Sequence, residues 1–445
     1  MTTPIPSTLP GQCLLDTHPP DLLAAWLIDA GRRTRQLVED LEDGQLLGPR
    51  LATINPILWE VGHIAWFTER WVARRNGEES LLADADGLYD SASVAHSRRW
   101  DLAMPSWRDT LGYADAVRER ALARLDRPLS VEDVYFFLLA VFHEDMHGEA
   151  FAYSRQTLGY SAPIFIPRES AIHQAGPHAG DIAVPGGRFL LGALPGEAFV
   201  FDNEKWAHPV EVPSFRIARA PVTQAEFAAF VEADGYARRE WWGEAGWAWL
   251  QAQEARAPVY WRRAANGWER RDFARWVTLE PDRPMLHVNR FEAEAFCRWV
   301  GRRLPTEVEW EAASVGCLTP GRPSRHLGKR EMPWGDAPIS PERANLDGAA
   351  PGCVDAADCP DGDSAWGCRQ MIGNVWEWTA SDFRPYPGFA IDPYREYSQP
   401  WFGTHAVLRG GCWLTRSRLL RNTLRNFYLP GRRDIWAGFR TCAMP

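Results

Sequence analysis

Two folded parts of different class follow from three features of the sequence: an α-helical bundle over residues 1–165, then an α+β domain with little regular structure over residues 166–445. The first feature is a helical spacing of apolar residues that recurs in four stretches before residue 160. The second is a change of texture at Pro163. From there Pro167, Gly176, Pro177, Gly180, Pro185, Gly186 and Gly187 punctuate the chain. The third is length, since 445 residues at about 150 per domain suggest two or three domains.

Leu22, Leu23, Trp26, Leu27 and Ala30 form the first helical stripe. Leu58, Trp59, Gly62, His63, Trp66, Phe67 and Arg70 form the second, and Trp107, Leu111, Ala114, Val117 and Ala121 the third. The fourth stretch, Val131 to Ser154, is at first apolar around much of its circumference. Four helices of this kind can bury their stripes against one another in an antiparallel bundle. Beyond the linker, Arg188–Leu191, Val210–Ile217 and Ala406–Arg409 read as short strands. Gln224–Ala233, behind the N-cap Thr223, and Arg290–Val300 read as short helices.

Apolar (45%) and charged (24%) usage is that of a folded chain. Only Lys205 and Lys329 are lysine, so 47 of the 49 basic residues are arginine (49 − 2), a bias that GC-rich coding explains. Tryptophan, at 23, outnumbers Phe at 20 and Tyr at 11, and Trp often lines ligand sites. A net charge of −9 with no basic run excludes a general nucleic-acid binder. The longest apolar run, Phe136 to Phe142, is too short for a bilayer, and MTTPIPSTLPGQ lacks the parts of a signal peptide. The expectation is a cytoplasmic protein with no membrane partner. None of the eight cysteines forms a CxxC pair, which excludes a zinc ribbon or a thioredoxin motif. Cys353, Cys359 and Cys368 cluster in a Gly/Asp/Pro-rich stretch and are expected as free thiols.

The sharpest chemical signal is His143 with His147, in FFLLAVFHEDMHGEAFAY on the fourth helix. Spacing i, i+4 puts both imidazoles on one face, which suits two ligands of one metal ion. HEDMH also fits HExxH literally, with Glu144 as a general base, but three fixed residues are a weak signal. Asp145 and Glu149 sit about 200° around the helix from a histidine and share the metal-facing side poorly. His63 is the better third ligand, because it lies on an apolar stripe where a buried polar group needs a partner. His63 alone reads as an ordinary core histidine, and the pair His143 and His147 alone fits either reading; the three together favour a metal site. Three neutral imidazoles leave positions open for substrate and O2, which suits nonheme iron(II), and zinc fits on chemistry alone.

These residues carry a resemblance. His63 within LWEVGHIAWFTERW, followed by HEDMHGE, resembles the HX3HXE iron-binding domain of the ergothioneine-type sulfoxide synthases, a DinB-like four-helix bundle. GGRFLLG, FDNEKWAHPVEV, PVTQAEFAAFV, HVNRFEAEAFCRWVGRRLPTEVEWEAA, MIGNVWEWTASDFRPYPGF, PYREYSQPWFG, VLRGGCW and RNFYLPGRRDIWAGFRT resemble the formylglycine-generating-enzyme-like, C-type-lectin-like domain of the same enzymes. The strings cover most of the chain in order. The resemblance implies Fe(II), O2 and hercynine, the Nα-trimethylated betaine of histidine, with oxidative C–S or C–Se bond formation at the imidazole ring. It implies His63, His143 and His147 as iron ligands, with Glu149 as an outer partner. Formylglycine-generating enzymes bind copper through a cysteine pair near the C-terminus; here RGGCWLTRSRLLRNTLRNFY holds only Cys412, which argues against that activity.

The departures are as informative. Met146 stands where the γ-glutamylcysteine-using synthases often carry Gln. Asn426, Phe427 and Tyr428 stand where those enzymes contact the thiol donor through an Asn-aromatic-Asp stretch, with Arg432 retained. The loop DSASVAHSRRWDLAMPSW also differs, and its Arg98 and Arg99 read as solvated or as substrate contacts. A phenol in place of an acid implies a donor without amino-acid charges. The pattern is similar to the selenoneine-forming branch, which joins hercynine to a selenosugar through a selenoxide. Synthesis from γ-glutamylcysteine or cysteine is the alternative, and a non-catalytic lectin-like binding protein is the alternative of another class. A zinc-dependent transferase would leave the second domain unexplained. The resemblance implies a catalytic tyrosine, with Tyr386 first, then Tyr428, Tyr394 and Tyr397. Trp413, Phe427 or Trp376 would face the methylated cation and Asn426 the carboxylate of hercynine. Trp376 and Trp378 read more readily as core, and Arg409 as a structural ion-pair residue.

Overall fold

The computed structural model describes residues 11–167, 175–197, 199–316 and 329–445, with side chains from Leu14 onward. The chain divides into two compact units. The first runs to Phe165 and includes Pro195–Phe199; the second comprises Ile166–Leu194 and Val200–Pro445. The sequence boundary at 165 does not foresee that short return. Its cause is aromatic packing, since Phe199 meets Tyr135 and Phe142 with ring centroids 5.3 and 5.0 Å apart.

Among the described residues, four long helices build the first unit: α1 (Pro20–Val38), α2 (Ile57–Thr68), α3 (Trp107–Leu125) and α4 (Val131–Leu158). Ser130 and Asp133 form a capping box that starts α4, and Gly159, with φ of 70°, ends it in the left-handed region. Every residue from Asp133 to Asp145 is buried, so α4 is central, which explains its apolar run on all sides. α2 is buried along most of its length and passes into a π-helical turn, Glu69–Ala73. Such turns recur at functional sites. α3 is amphipathic, but its buried stripe is Thr110, Tyr113, Val117, Ala121 and Leu125. Trp107, Leu111 and Ala114 are only half-buried. The rotation follows from Tyr113, whose hydroxyl donates to the buried Glu69 at 2.9 Å.

Among the described residues, thirteen short strands and four α-helices organise the second unit. The strands are β1 (Asp181–Val184), β2 (Gly187–Leu191), β3 (His208–Val212), β4 (Phe215–Ala218), β5 (Trp261–Ala264), β6 (Gly267–Asp272), β7 (Arg275–Thr278), β8 (Arg302–Arg303), β9 (Trp376–Asp382), β10 (Ala406–Arg409), β11 (Asn426–Tyr428), β12 (Ala437–Gly438) and β13 (Cys442–Ala443). They form sheets in the orders β1-β4-β13-β8, β11-β10-β9-β12, β2-β3 and β5-β6-β7. The run Val210–Ile217, expected as one strand, is two strands in different sheets. Pro213 has no N–H to give a ladder, and the turn presses close to Gly186, where a Cβ would lie 2.6 Å from the Ser214 nitrogen.

The helices are α5 (Gln224–Glu232), α6 (Glu244–Gln253), α7 (Arg290–Trp299) and α8 (Glu307–Val315). Capping boxes at Thr223, Asn289 and Thr306 start α5, α7 and α8. Trp310 of α8 is fully enclosed among Phe189, Ile217, Met371 and Cys442. Cys353, Cys359 and Cys368 are separate buried thiols, and burial pushes them up to about 12, 12 and 11. Cys317 and the Cys13 side chain lie outside the described residues. No described helix is long and apolar enough to cross a membrane.

Candidate metal centre

The site begins with the stripe Trp59, His63 and Trp66 on α2. All three reach one segment, the short helix Ala85–Tyr89 and the residues that end it. Trp59 Nε1 donates to the Leu88 carbonyl at 2.7 Å, His63 Nδ1 to the Tyr89 carbonyl at 2.8 Å and Trp66 Nε1 to Asp86 at 2.6 Å. Arg74 grips the same Asp86 with two nitrogens, at 2.6 and 2.8 Å. Arg74 and the Trp66 donor together hold the Asp86 carboxyl down at about 2. The clamp needs Gly62, because a Cβ there would lie 2.2 Å from the Tyr89 ring. Bonding of Nδ1 to a carbonyl fixes the His63 tautomer and leaves Nε2 as the lone pair.

His143 and His147 come from the centre of α4. Phe67 stacks flat on His143, with centroids 3.6 Å apart and planes 4° apart, while Trp59 stacks on His63 at 4.9 Å. His147 donates Nδ1–H to Glu60 Oε1 at 2.5 Å. One ring nitrogen from each histidine lies within 4.8 Å of the others. Burial, with His147 close by, holds His63 and His143 well below the ordinary histidine value. Both are therefore neutral at pH 7, the form a metal requires. Three imidazoles gain nothing from converging on one another. A divalent transition-metal ion satisfies all three, and the donor set fits iron(II) or zinc.

The carboxylates of α4 take no part in this cluster. Glu144, the general base of a literal HExxH reading, is buried on another face, where it accepts from Thr34 Oγ1 at 2.7 Å and pairs with Arg118 at 3.4 Å. The metalloprotease reading fails on this geometry. Glu149 is buried, and Met146, beside His147, is half-buried. Arg98 is exposed as expected of a solvated residue, but Arg99 is not. Its guanidinium lies 3.9 Å from the Trp59 ring centroid and donates to Asn55 at 2.6 Å, and burial lowers it to about 10. Glu60 was missed by the sequence reading. Its signal was present, since i, i+3 spacing puts it on the His63 face of α2.

In the second unit, Asn426, Phe427 and Tyr428 form the edge strand β11, paired with β10. Phe427 stacks on Phe383 with centroids 4.1 Å apart, and Asn426 Oδ1 accepts the Phe427 N–H at 2.8 Å. Arg432 stands over the Tyr428 ring at 5.2 Å and pairs with Asp434 through two bonds of 2.7 Å. Tyr386 is enclosed rather than open. Its hydroxyl donates to Glu307 at 3.2 Å beneath Arg425, and burial raises it well above the ordinary tyrosine value. Trp413, expected as part of an aromatic wall, is 1% exposed, with Trp436 edge-on at 5.3 Å, so its face is covered by protein. Trp376 and Trp378 are core, and Arg409 pairs with Glu307 and Glu311.

Fold and site together define a class: a helical domain with a three-histidine centre, joined in one chain to a lectin-like α+β domain. The profile of the DinB superfamily matches residues 27–150, and that of the sulfatase-modifying factor enzyme 1-like domain matches residues 168–444. The chain is 38% identical to a hercynine oxygenase of Mycolicibacterium thermoresistibile, over 94% of each chain. It is 36% identical to that of Mycolicibacterium smegmatis, over 94% of this chain and 98% of the relative. A formylglycine-generating enzyme of Streptomyces coelicolor is 33% identical over 56% of this chain and 85% of its own. The chain belongs to the hercynine oxygenase family.

Proposed function

We propose that this protein joins hercynine to a chalcogen donor in an iron(II)- and O2-dependent reaction, and that the donor is a selenosugar. One observation carries the first part: His63, His143 and His147 converge, with one ring nitrogen of each close together, in a chain whose full-length relatives are named for hercynine oxygenation. Iron(II) held at these three nitrogens supplies the activation of O2. The net balance is simple. The imidazole C–H and the donor Se–H are lost, a C–Se bond forms, one oxygen atom goes to selenium and the other leaves as water. Elimination of the sugar from the selenoxide, as an alkene, leaves a selenenic acid, which two thiols reduce to selenoneine with release of a disulfide and water.

The side chains would divide the remaining tasks. Phe427, stiffened by its stack on Phe383, offers an aromatic face to the trimethylammonium group. Asn426, its Oδ1 already engaged, keeps its amide donor for the carboxylate of hercynine. Tyr386 is occupied by Glu307, so the proton-donor role passes to the half-buried Tyr428, with Tyr394 as the next candidate. Met146 places a soft thioether next to a ligand, which suits a selenium-bearing substrate. Support for an uncharged donor comes from Arg432, neutralised by Asp434, beside a phenol where an acid would recognise an ammonium group. A second reading, γ-glutamylcysteine as donor, is favoured by the retained Arg432.

An aerobic assay with iron(II) and hercynine, offering selenosugar, thiosugar and γ-glutamylcysteine side by side, separates the readings. Turnover of the selenosugar in preference to γ-glutamylcysteine is expected, and turnover of γ-glutamylcysteine alone would refute the donor assignment. Tyr428→Asp should raise γ-glutamylcysteine use relative to the parent.

A further inference from the structure

We infer that Glu60 is a positioning residue of the metal centre: through its bond to His147 it aims that ligand and supplies a negative charge behind it, and so sets how tightly the ion is held. The inference rests on the three-histidine reading above. Glu60 is 1% exposed, and its Oε1 accepts the Nδ1–H of His147 at 2.5 Å, from a residue 87 positions later in the chain. Its Oε2 accepts Asn55 Nδ2 at 3.4 Å. Asn55 Oδ1 in turn accepts from Arg99 at 2.6 Å.

The direction of each partner matters. Arg99 is aimed at Asn55, the Val94 carbonyl and the Trp59 ring. Its charge reaches Glu60 only at a distance, as a Coulombic effect. The Glu60 carboxylate thus faces an imidazole directly, and behind that ring lies the metal position. A carboxylate this deep gains from a counter-charge, and an ion on the far nitrogen of His147 would supply one. The three ligands differ accordingly. His63 leans on a backbone carbonyl, His143 under a phenyl ring and His147 on a full negative charge. A carboxylate behind an imidazole makes it the more basic ligand and fixes its rotation.

Glu69 provides the contrast for a test. It is 0% exposed in the turn that follows α2, and its carboxylate accepts from Ser80, the Leu81 N–H and Tyr113. It is as deeply buried as Glu60 but touches no histidine in these contacts. Anaerobic competition between the full-length protein and a chromogenic chelator for cobalt(II) or iron(II) measures affinity directly. Glu60→Gln is expected to weaken binding roughly 10- to 100-fold and to shift the visible cobalt(II) absorption. Glu69→Gln is expected to lower the melting temperature of the metal-free chain while keeping parental affinity.

Parental affinity in Glu60→Gln, or an equal loss in Glu69→Gln, overturns the inference. Should Glu60→Gln fail to fold, Glu60→Asp keeps the charge but withdraws it by one methylene. It is expected to bind more weakly at an unchanged metal-free melting temperature, and parental affinity there overturns the inference as well. A parent that binds neither ion overturns the three-histidine reading itself, a different result from a parent that binds and a Glu60 variant that binds equally.

Discussion

Among the described residues of the second unit, many buried charges meet their opposites. Glu307 receives Arg409 and Arg425, Glu311 receives Arg409 and Lys329, Glu377 receives Arg440, and Glu204 receives Arg421. In the helical unit, the buried polar groups His63 and His143 are brought against each other and against His147 instead. Closed pairs of opposite charge hold a domain with short strands and long loops in one arrangement. Like groups gathered at one point stabilise nothing by themselves; they are held there by outward bonds to Tyr89 and Glu60 and by the Phe67 stack. The difference separates polar groups buried for structure from polar groups buried for a ligand.

The contrast can be broken most forcefully at Arg440. Arg440 and Glu377 are 0% and 1% exposed and share bonds of 2.6 and 2.7 Å. Arg440→Met leaves Glu377 with the Trp310 N–H but no cation in direct contact, and should cost about 3–5 kcal/mol, read as a lower denaturation midpoint of the second unit. Metal affinity should stay parental; if it falls, the separation of roles drawn above is wrong. In the helical unit, Gly62→Ala forces the Tyr89 ring away from α2. A loss of about 1–3 kcal/mol is expected, as for other overpacked sites, together with weaker metal binding, because the carbonyl that orients His63 moves too. An unchanged melting temperature would mean that the segment yields freely.

The smallest effect is the response to pH, and its sign differs between the units. Burial, with His147 beside them, puts His63 and His143 well below the ordinary 6.5. Below that value the unfolded metal-free chain binds more protons than the folded one. The contribution of these histidines is therefore present above 6.5 and lost as the pH falls. Asp202, in the second unit, is raised to about 6 by burial, with the neighbouring Asp392 adding to the rise. Its contribution is present below the ordinary 3.8 and is lost as pH rises through about 6. Calorimetry of the metal-free protein between about pH 7 and 5 should show the helical transition moving down and the Asp202 contribution acting the other way. Parallel shifts of both transitions would contradict the assignment.

What the sequence revealed also divides between the units. Helical spacing marked the four long helices, and the i, i+4 pair on α4 marked two of the converging histidines, because both signals are local. His63 was reachable because a histidine on an apolar stripe is conspicuous. Glu60 shares the His63 face at i, i+3, but its partner lies 87 residues away and an acidic residue in a helix ordinarily reads as solvent-facing, so that signal is easily passed over. The Tyr89 carbonyl has no side-chain signature at all. In the second unit the β5-β6-β7 sheet escaped notice because Arg and Trp on largely unburied strands leave no apolar alternation to read. Trp413 and Tyr386 looked available because nothing in a sequence says which aromatic ring another will cover. Arg409 read correctly because a buried arginine needs an acid, whatever the reaction.

The central claim is that three histidines from two helices hold one iron ion. Anaerobic titration of the metal-free protein with iron(II) tests it most directly. The account predicts one ion bound per chain in the parent, and none in a His143→Ala variant that keeps the metal-free melting temperature. A parent that takes up no iron, or a folded His143→Ala variant that takes up as much as the parent, would contradict it.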